Sequence, residues 1–343
     1  MPQDVKLYPS GQVVTCEDGE TVLEALERSG YALPNNCRAG ACGECKVRVR
    51  DGRFDQGFVL DMALSQDERA QGFGLMCMAK PLEAMEIEWG TEDAKPKLFP
   101  PRASQYAVLI DRIARTPRIT EFVLRPLGEP MRFWPGQYVQ LGDTSAGAPI
   151  RSYSLANAPR PDGELRLQVT RVEAGAPDSP EGRTSRWLHD QVELGDTLRF
   201  SGPHGTFIGD PAVDTPVLCL AAGSGLAPIL SLTEAALRRG YKPPVTLMFS
   251  ARDSSELYDR GLMRYWEMRY PNFRYLPSTT RVASDGIAHG RIPATLGKHF
   301  PDLSGFSVFI AGTTGFVDDC VAAARALGAQ AQLIHTEGFF QQA

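Results

Sequence analysis

Four cysteines in an uneven spacing constrain this chain more than any other feature. Cys37, Cys42 and Cys45 form a C-x4-C-x2-C pattern, and Cys77 follows further along the chain. Two glycines lie among the first three cysteines, and residues without a side chain let the backbone approach a bound anion and point N–H groups at it. The spacing is that of the four cysteine ligands of a [2Fe–2S] cluster. We therefore predict that these four residues are the metal ligands.

Other uses of the cysteines remain open at this point. A structural zinc site usually has two C-x2-C pairs, whereas only Cys42 and Cys45 have that spacing here. A Rieske centre needs two histidine ligands, and the first histidine of the chain is His189. Zinc, disulfides and buried structural thiols are the alternatives to the iron–sulfur cluster, which the spacing favours.

Length and composition indicate a multidomain protein of a reducing compartment. A chain of 343 residues has room for two or three domains. No apolar run reaches the ~18 residues of a membrane span, and the first residues lack the apolar core of a secretory signal. Seven cysteines, an odd number, fit reduced thiols and a metal site better than a disulfide framework. We predict a cytoplasmic, monomeric protein that does not bind membranes.

Charge is distributed unevenly along the chain. Residues 1–95 carry ten Lys or Arg against seventeen Asp or Glu, a net charge of −7, whereas the remaining residues carry twenty-six against twenty-four, or +2. The sequence therefore does not indicate the basic face that binds nucleic acid. The acidic N-terminal part is either a docking surface that steers a partner or an ordinary solvated surface.

The pattern of strands and helices divides the chain into three domains. Residues 1–92 are predicted to form a small β-rich domain with one helix and the cysteine loop, and residues 93–103 a proline-containing linker. Residues 104–211 hold repeated short strands, which is typical of a β-barrel. Residues 212–343 alternate strands with helices, two of them near 255–269 and 315–327, as in a parallel α/β sheet. The predicted fold class is multidomain, with α+β and α/β parts.

A glycine-rich turn follows a strand in the C-terminal domain. Gly223-Ser224-Gly225-Leu226-Ala227-Pro228 ends that strand and opens a helix. Glycines let the backbone approach a pyrophosphate, and a helix N-terminus attracts negative charge. Gly223, Gly225 and Pro228 are therefore predicted to bind a nicotinamide dinucleotide. No acidic residue lies ~20 positions further on to hold the ribose, so Arg252, after the next strand, is the predicted ribose contact.

Two motifs in the barrel suit a cofactor that has both phosphates and a ring. Arg151-Ser152-Tyr153-Ser154 combines a cation, an aromatic ring and two hydroxyls, and alternate residues of a strand share one face. The Ser154 hydroxyl can hydrogen-bond a flavin ring nitrogen. Gly182-Arg183-Thr184-Ser185 begins a helix whose first N–H groups can hold a second phosphate. A strand-edge arginine and an ordinary helix cap are the alternative interpretations.

Together these motifs resemble one known family over nearly the whole chain. The chain resembles the oxygenase-reductase branch of the ferredoxin–NAD(P) reductase superfamily, with a plant-type ferredoxin domain at the N-terminus. The matching motifs are R-x-Y-S at 151–154, P-G-Q-Y at 135–138, G-x-x-S at 182–185, G-P-x-G at 202–205 and the turn at 223–228. The resemblance implies a β-grasp ferredoxin domain, a six-stranded antiparallel flavin-binding β-barrel and a parallel NAD-binding α/β domain.

The resemblance also implies the cofactors and further site residues. A [2Fe–2S] cluster, FAD and NADH are expected. The ending His335-Thr336-Glu337-Gly338-Phe339-Phe340 is similar to the acidic and aromatic tail that lies near the flavin in such reductases. Ser154 and Glu337 are then the expected catalytic residues, and Gln168, Val169 and Phe339 join the expected cofactor contacts.

Three departures from the family pattern concern the site. Ala311-Gly312-Thr313-Thr314-Gly315-Phe316 stands where the family often has Cys-Gly-Pro near the nicotinamide, so no catalytic cysteine is expected. The stretch 173–181 is longer than usual before the second flavin motif, which affects how the adenylate end of the flavin is held. Residues 341–343 extend past the tail aromatics, which affects any stacking by Phe339 or Phe340.

The three expected cofactors together convert a two-electron donor into a source of single electrons. A nicotinamide gives two electrons as a hydride, a [2Fe–2S] cluster takes one at a time, and a flavin handles either number. The expected path runs from NADH to FAD to the cluster and then to a terminal oxygenase or a separate iron–sulfur protein. We expect the reductase component of a multicomponent oxygenase that hydroxylates aromatic rings. The alternatives are a reductase for an iron–sulfur dehydrase of deoxysugar biosynthesis and a non-enzymatic electron carrier of the ferredoxin type.

Overall fold

The chain folds into two compact units. The computed structural model describes residues 1–173, 182–210, 213–283 and 286–339. Met1–Arg102 and Gly202–Thr206 form the first unit, and Ala103–Ser201 and Phe207–Ala343 form the second. The predicted barrel and α/β domain therefore belong to one compact unit, and the domain boundaries drawn from the sequence stay predictions. In the described part of the chain, no helix is long and apolar enough to cross a membrane.

A five-stranded mixed sheet forms the centre of the first unit. Its order is β2-β1-β7-β3-β5, with β1 antiparallel to β2 but parallel to β7, the arrangement of the expected β-grasp domain. The strands are β1 (Gln3–Tyr8), β2 (Val13–Cys16), β3 (Lys46–Asp51), β4 (Phe54–Asp55), β5 (Phe73–Leu75), β6 (Lys80–Pro81) and β7 (Met85–Glu88), and the helices are α1 (Val22–Arg28) and α2 (Gln66–Ala70).

Helix α1 supplies much of the core of this unit. A capping box begins the helix: the Thr21 hydroxyl accepts from the backbone N–H of Glu24, and the Glu24 carboxylate accepts from that of Thr21. Leu23 and Leu26 are fully buried in one cluster with Leu7 of β1. Burial of one such leucine contributes about 1.5–3 kcal/mol, so tertiary packing stabilises this two-turn helix.

Six antiparallel strands and one helix form the barrel. The strand order is β11-β10-β13-β8-β9-β12, and a bridge between Leu155 and Leu167 joins its two ends, which confirms the predicted six-stranded barrel. The elements are β8 (Arg102–Ala114), β9 (Ile119–Pro126), β10 (Tyr138–Asp143), β11 (Ala148–Ser154), β12 (Leu165–Thr170), α3 (Arg183–Asp190) and β13 (Thr197–His204).

The rest of the second unit is a parallel sheet flanked by helices, as predicted. Its order is β17-β16-β15-β14-β18-β19, with every neighbouring pair parallel. The elements are β14 (Val217–Ala222), α4 (Leu226–Arg238), β15 (Val245–Ala251), α5 (Arg260–Arg269), β16 (Phe273–Thr279), β17 (Ala288–His289), α6 (Ile292–His299), β18 (Ser307–Thr313), α7 (Thr314–Ala326) and β19 (Ile334–Phe339).

The strand order reverses between β14 and β18. The chain proceeds outward from β14 to β17 and then returns to the other side of β14 with β18. Ligands of open α/β sheets bind beyond the carboxyl ends of the strands at such a reversal. The glycine turn that begins at Gly223 follows β14, and Thr313 ends β18. The glycine turn and the stretch that begins at Ala311 therefore both lie at this reversal.

One helix begins later than the sequence pattern indicated. The prediction of a helix near 255–269 is wrong at its start, because α5 begins only at Arg260. Asp259 has a left-handed backbone with φ 56°, and Tyr258 beside it is buried. The left-handed residue turns the backbone so that the Tyr258 side chain is buried, and the helix can begin only after this turn.

Candidate functional site

The four predicted cluster ligands lie together in the first unit. Backbone N–H groups of Ala39 and Ala41 donate to the Cys37 sulfur at 3.4 Å, and that of Cys77 donates to the Cys45 sulfur at the same distance. Such donors stabilise negative charge on sulfur, which thiolate ligands carry. The loop is therefore already arranged around anionic sulfur.

The cysteines form two pairs. Cys37 contacts Cys42, which lowers the pKa of Cys37 to about 5 and raises that of Cys42, and Cys77 and Cys45 are related in the same way. Among the described residues, no three His, Cys, Asp or Glu side chains converge as they would on one metal ion. Two cysteines for each of two irons is the ligand arrangement of a [2Fe–2S] cluster, whereas a structural zinc ion gathers four ligands around one point.

Backbone geometry explains why the loop needs glycine. Gly40 has φ 68°, and a Cβ atom there would lie 2.7 Å from the carbonyl oxygen of Phe58. The N–H of Leu60 donates to the Gly40 carbonyl at 3.0 Å, so the segment after β4 closes over the cysteine loop. A side chain at Gly40 would force these two segments apart.

An ion pair holds the residue next to the first ligand. Arg38 has a left-handed backbone with φ 53°, and its Nη1 donates to both carboxylate oxygens of the buried Glu27, at 2.7 and 2.6 Å. Burial opposes ionisation of Glu27, but the charge of Arg38 and the neighbouring His204 hold the pKa of Glu27 below its usual value. A buried carboxylate thus anchors the cysteine loop to α1.

The helix of the second predicted flavin motif contacts the strand that carries the first. The Thr184 hydroxyl of α3 donates to the carbonyl oxygen of Pro149 on β11, and the Ser185 hydroxyl donates to the carbonyl oxygen of Gly182 at 2.9 Å. Gly182 is the N-cap of α3 with φ 48°, and a Cβ atom there would lie 2.4 Å from the Val172 side chain. With no side chain at the cap, backbone N–H groups of α3 can hold a phosphate.

The two expected catalytic residues are in contact although they are distant in sequence. The Ser154 hydroxyl at the end of β11 donates to Oε1 of Glu337 on β19 at 3.1 Å. Both side chains are buried, and Oε2 of Glu337 has no hydrogen-bond partner among the described residues. Burial raises the pKa of Glu337 to about 8 against the lowering effect of the Ser154 bond. A buried acid with an unpaired oxygen fits a site completed by a polar cofactor.

The predicted nucleotide turn lines a cleft of 590 Å³. Gly223, Ser224, Arg252 and Phe339 all border this cleft. A Cβ atom at Gly225 would lie 2.2 Å from the carbonyl oxygen of Ala311, so glycine allows the turn to pack against β18. Pro228 is buried within the first turn of α4. The cleft is therefore formed where the sheet order reverses.

An acidic residue that the sequence analysis missed lies beside Arg252. Glu256 borders the same cleft; its Oε2 accepts from Nε of Arg252 at 2.9 Å, and its Oε1 from Nη2. Glu256 lies further along the chain than the ~20 residues at which a ribose-binding acid usually follows the turn. The signal available was the i, i+4 spacing of Arg252 and Glu256, which places a carboxylate beside the cation.

Two expected cofactor contacts have other partners in the structure. Val169 packs its side chain in the barrel core. The Gln168 amide nitrogen donates to Glu121 at 3.1 Å and to Asp259 at 3.0 Å. Contact of these residues with a cofactor therefore stays a prediction.

Ala311 begins the stretch that stands where the family often has Cys-Gly-Pro, and it is fully buried on β18. Residues 312–316 contain no cysteine. The long stretch before the second flavin motif, noted at 173–181, lies outside the described residues apart from residue 173, as does the tail residue Phe340.

Three family models match successive parts of the chain. A 2Fe-2S iron-sulfur cluster binding domain matches residues 5–82, an oxidoreductase FAD-binding domain residues 108–208, and an oxidoreductase NAD-binding domain residues 219–322. These matches confirm the predicted [2Fe–2S] cluster, FAD and nicotinamide nucleotide. They also agree with the paired cysteines and with the position of the glycine turn.

Similar proteins match over nearly the full chain. The chain is 35% identical to the reductase subunit of aromatic O-demethylase from Amycolatopsis sp., over 96% of each sequence. It is 31% identical to DmpP, the reductase component of phenol 2-monooxygenase from Pseudomonas sp., over 94% of this chain and 90% of that one. The crystal structure of the Amycolatopsis cytochrome P-450 reductase GcoB has a TM-score of 0.87 and 31% identity, and the match covers 98% of both chains.

Proposed function

Because the chain belongs to the family of oxygenase reductases that join a [2Fe–2S] domain to FAD-binding and NAD-binding oxidoreductase domains, we propose that it oxidises NADH and passes single electrons to a terminal oxygenase acting on an aromatic compound. The main observation is that one chain holds all three sites: the paired cysteines, the Ser154–Glu337 contact and the Gly223 turn. The names of the two relatives, a demethylase subunit and a phenol monooxygenase component, support the aromatic substrate class.

Residues of the second unit orient the reactants and hold a proton. When bound, a flavin supplies the ability to accept two electrons and release them singly. The Gly223 turn and the start of α4 would hold the pyrophosphate of the nucleotide. With a pKa of about 8, Glu337 is protonated at neutral pH. Because its Oε1 accepts from Ser154, the proton is available on Oε2 as a donor to a bound group.

We propose that the electron acceptor docks beside the cysteine loop. Phe58 and Met62 follow β4 and are 74% and 86% exposed, and the carbonyl oxygen of Phe58 lies against Gly40 of that loop. Two exposed apolar side chains on one short segment beside the cysteine loop favour a protein partner. Asp61 lies between them in sequence, and the excess of acidic residues over 1–95 favours an oxygenase with a basic rim around an apolar centre.

Substitution of the exposed side chains tests this docking surface. Phe58→Ala and Met62→Ala should raise the KM for the oxygenase and leave NADH:ferricyanide activity unchanged. Met268→Ala is the matched control, because Met268 of α5 is 88% exposed but belongs to the second unit. An equal effect of all three variants on the oxygenase KM would exclude this surface.

The function itself is tested in two steps. In purified protein, anaerobic NADH should bleach both the flavin and the cluster absorption, and absence of flavin would favour the non-enzymatic electron carrier. The reduced protein is then mixed with an aromatic oxygenase or with an iron–sulfur dehydrase. Turnover of the oxygenase alone supports the proposal, whereas turnover of the dehydrase alone would replace it with the deoxysugar alternative.

We further propose that the protein acts as a monomer in the cytoplasm. All seven cysteines are free of disulfides, as expected of a reducing compartment. Light scattering of the FAD-loaded protein should give a mass near 37.5 kDa, and a mass about twice as large would contradict the monomer.

A further inference from the structure

A buried polar cluster connects the barrel to the nucleotide turn. We call it the Tyr258 cluster, and its members are Arg115, Glu121, Arg166, Gln168, Tyr258 and Asp259. Glu121 of β9, Gln168 of β12 and Tyr258 before α5 are 2%, 5% and 5% exposed. Buried polar groups are costly unless they are hydrogen-bonded, so a cluster of this size has a specific role or a defined geometry to maintain.

The charges of the Tyr258 cluster balance. Arg115 contacts Glu121 through Nη2 and Asp259 through Nη1, both at 3.0 Å. Arg166 contacts Glu121 at 3.1 Å. Two guanidinium groups thus match two carboxylates. Buried ion pairs of this kind define a unique arrangement more than they add stability.

The hydrogen bonds of Gln168 determine how its side-chain amide is oriented. The Gln168 amide nitrogen donates to Glu121 and Asp259 at 3.1 and 3.0 Å, and a carboxylate can only accept. Its amide oxygen therefore faces away from the carboxylates, toward Tyr258. The Tyr258 hydroxyl has a single proton, which it shares in a three-centre hydrogen bond between that oxygen at 3.1 Å and the carbonyl oxygen of Gly223 at 3.0 Å.

The Tyr258 hydroxyl stays a donor over the working pH range. Burial, reinforced by the charges of Asp259 and Glu121, raises the pKa of Tyr258 well above its ordinary value. Gly223 is the first residue of the nucleotide turn, with φ 57° and no atom within 4 Å of a Cβ added there. One hydroxyl thus connects the nucleotide turn to an ion network whose other members, apart from Asp259 at the start of α5, are on the barrel.

We propose that Tyr258 is a positioning residue: it fixes the nucleotide turn to the barrel, so that a nicotinamide held by the turn is correctly placed against a flavin held by the barrel. This inference rests on the proposed oxidation of NADH. It assigns Tyr258 no contact with either group. Its effect is exerted through the Gly223 carbonyl, and it should change the rate of hydride transfer more than the binding of the nucleotide.

The test is Tyr258→Phe in the FAD-loaded protein, which removes one hydroxyl. Stopped-flow mixing with NADH under anaerobic conditions should show flavin reduction slowed about ten-fold, since small displacements are costly in hydride transfer. The dissociation constant of ADP-ribose, which lacks the nicotinamide, should stay within about two-fold. Tyr275→Phe is the matched control, because the buried Tyr275 hydroxyl has no partner among the described residues.

The possible results separate failure of the inference about Tyr258 from failure of the proposed function. Flavin reduction in Tyr258→Phe within about two-fold of the parent would overturn the inference, as would a loss of ADP-ribose affinity equal to the loss of rate. If the parent itself is not reduced by NADH, the proposed function fails first. Should Tyr258→Phe lose its flavin, Asp259→Asn carries the test, with the same slower reduction and unchanged ADP-ribose binding expected.

The double variant tests whether the cluster acts as one unit. If Tyr258 works through Gln168 and Asp259, the losses of rate in Tyr258→Phe and Asp259→Asn should be less than additive in the double variant. Fully additive losses would show that the two residues act separately and would overturn the role of the network.

Discussion

Replacement of Glu337 by glutamine should change how the stability of the protein depends on pH. Burial raises the pKa of Glu337 from 4.5 to about 8, so the folded protein binds this proton more tightly than the unfolded chain does. The stability that the protonated Glu337 contributes is therefore fully present below pH 4.5, and it is lost as the pH rises from 4.5 to about 8. Glutamine has no proton to release, and Glu337→Gln should escape this loss.

The magnitude follows from the two pKa values. Each pH unit between them contributes about 1.4 kcal/mol, for a total of about 5 kcal/mol. Between pH 6 and pH 8 the free energy of unfolding of Glu337→Gln should therefore rise relative to the parent by about 2.3 kcal/mol, because the slope falls off as the pH reaches the folded-state pKa. That change corresponds to roughly 5–10 °C in Tm.

The assay is thermal unfolding of parent and variant at several pH values with excess FAD. Glu193→Gln, at an exposed carboxylate, is the control for loss of one negative charge. Ser154→Ala removes the hydrogen bond that holds the pKa of Glu337 down, so its loss of stability should extend to higher pH. A difference between Glu337→Gln and the parent that does not change from pH 6 to pH 8 would refute the reasoning.

Three further predictions concern the three cofactor sites. Cys42→Ser should abolish the visible absorption of the cluster and keep NADH:ferricyanide activity, because the flavin and nucleotide sites lie in the second unit; loss of both would contradict that separation. Arg151→Ala should lower the ratio of FAD to protein after gel filtration, and unchanged occupancy would remove Arg151 from the site. Glu256→Gln leaves the charge of Arg252 uncompensated, so kcat/KM for NADPH relative to NADH should rise about ten-fold; an unchanged ratio would show that Glu256 does not select the nucleotide.

Motifs that describe local backbone geometry could be recognised from the sequence. The cysteine spacing predicted the ligands because a cluster imposes short, fixed separations on its loop. The Gly223 turn was recognisable because close approach to β18 excludes a Cβ atom at Gly225. The strand patterns predicted both sheets of the second unit. Strands of an antiparallel barrel alternate apolar and polar residues, whereas strands of a parallel α/β sheet are covered on both faces and read as continuous apolar runs.

Contacts between distant residues could not be predicted in the same way. The start of α5 was misplaced because Tyr258 leaves the helical path to reach Gln168 and Gly223, partners on other elements. Glu256 is a different case, because its i, i+4 spacing from Arg252 was visible in the sequence, whereas its place at the border of the cleft is seen only in the structure. The pairing of Ser154 with Glu337 was inferred from family resemblance, whereas its distance and burial come from the structure.

The sequence by itself determined which chemistry the chain carries: a cysteine loop for a cluster, a barrel with two flavin motifs, and a glycine turn for a dinucleotide. Only the tertiary structure decided how the polar groups around those motifs are partnered. It placed Glu337 with one unpaired oxygen beside Ser154 and connected Gly223 to the Tyr258 cluster. The physical reason is that a motif specifies its own backbone, whereas the pKa of a buried acid and the position of a turn depend on side chains that packing brings from elsewhere in the chain.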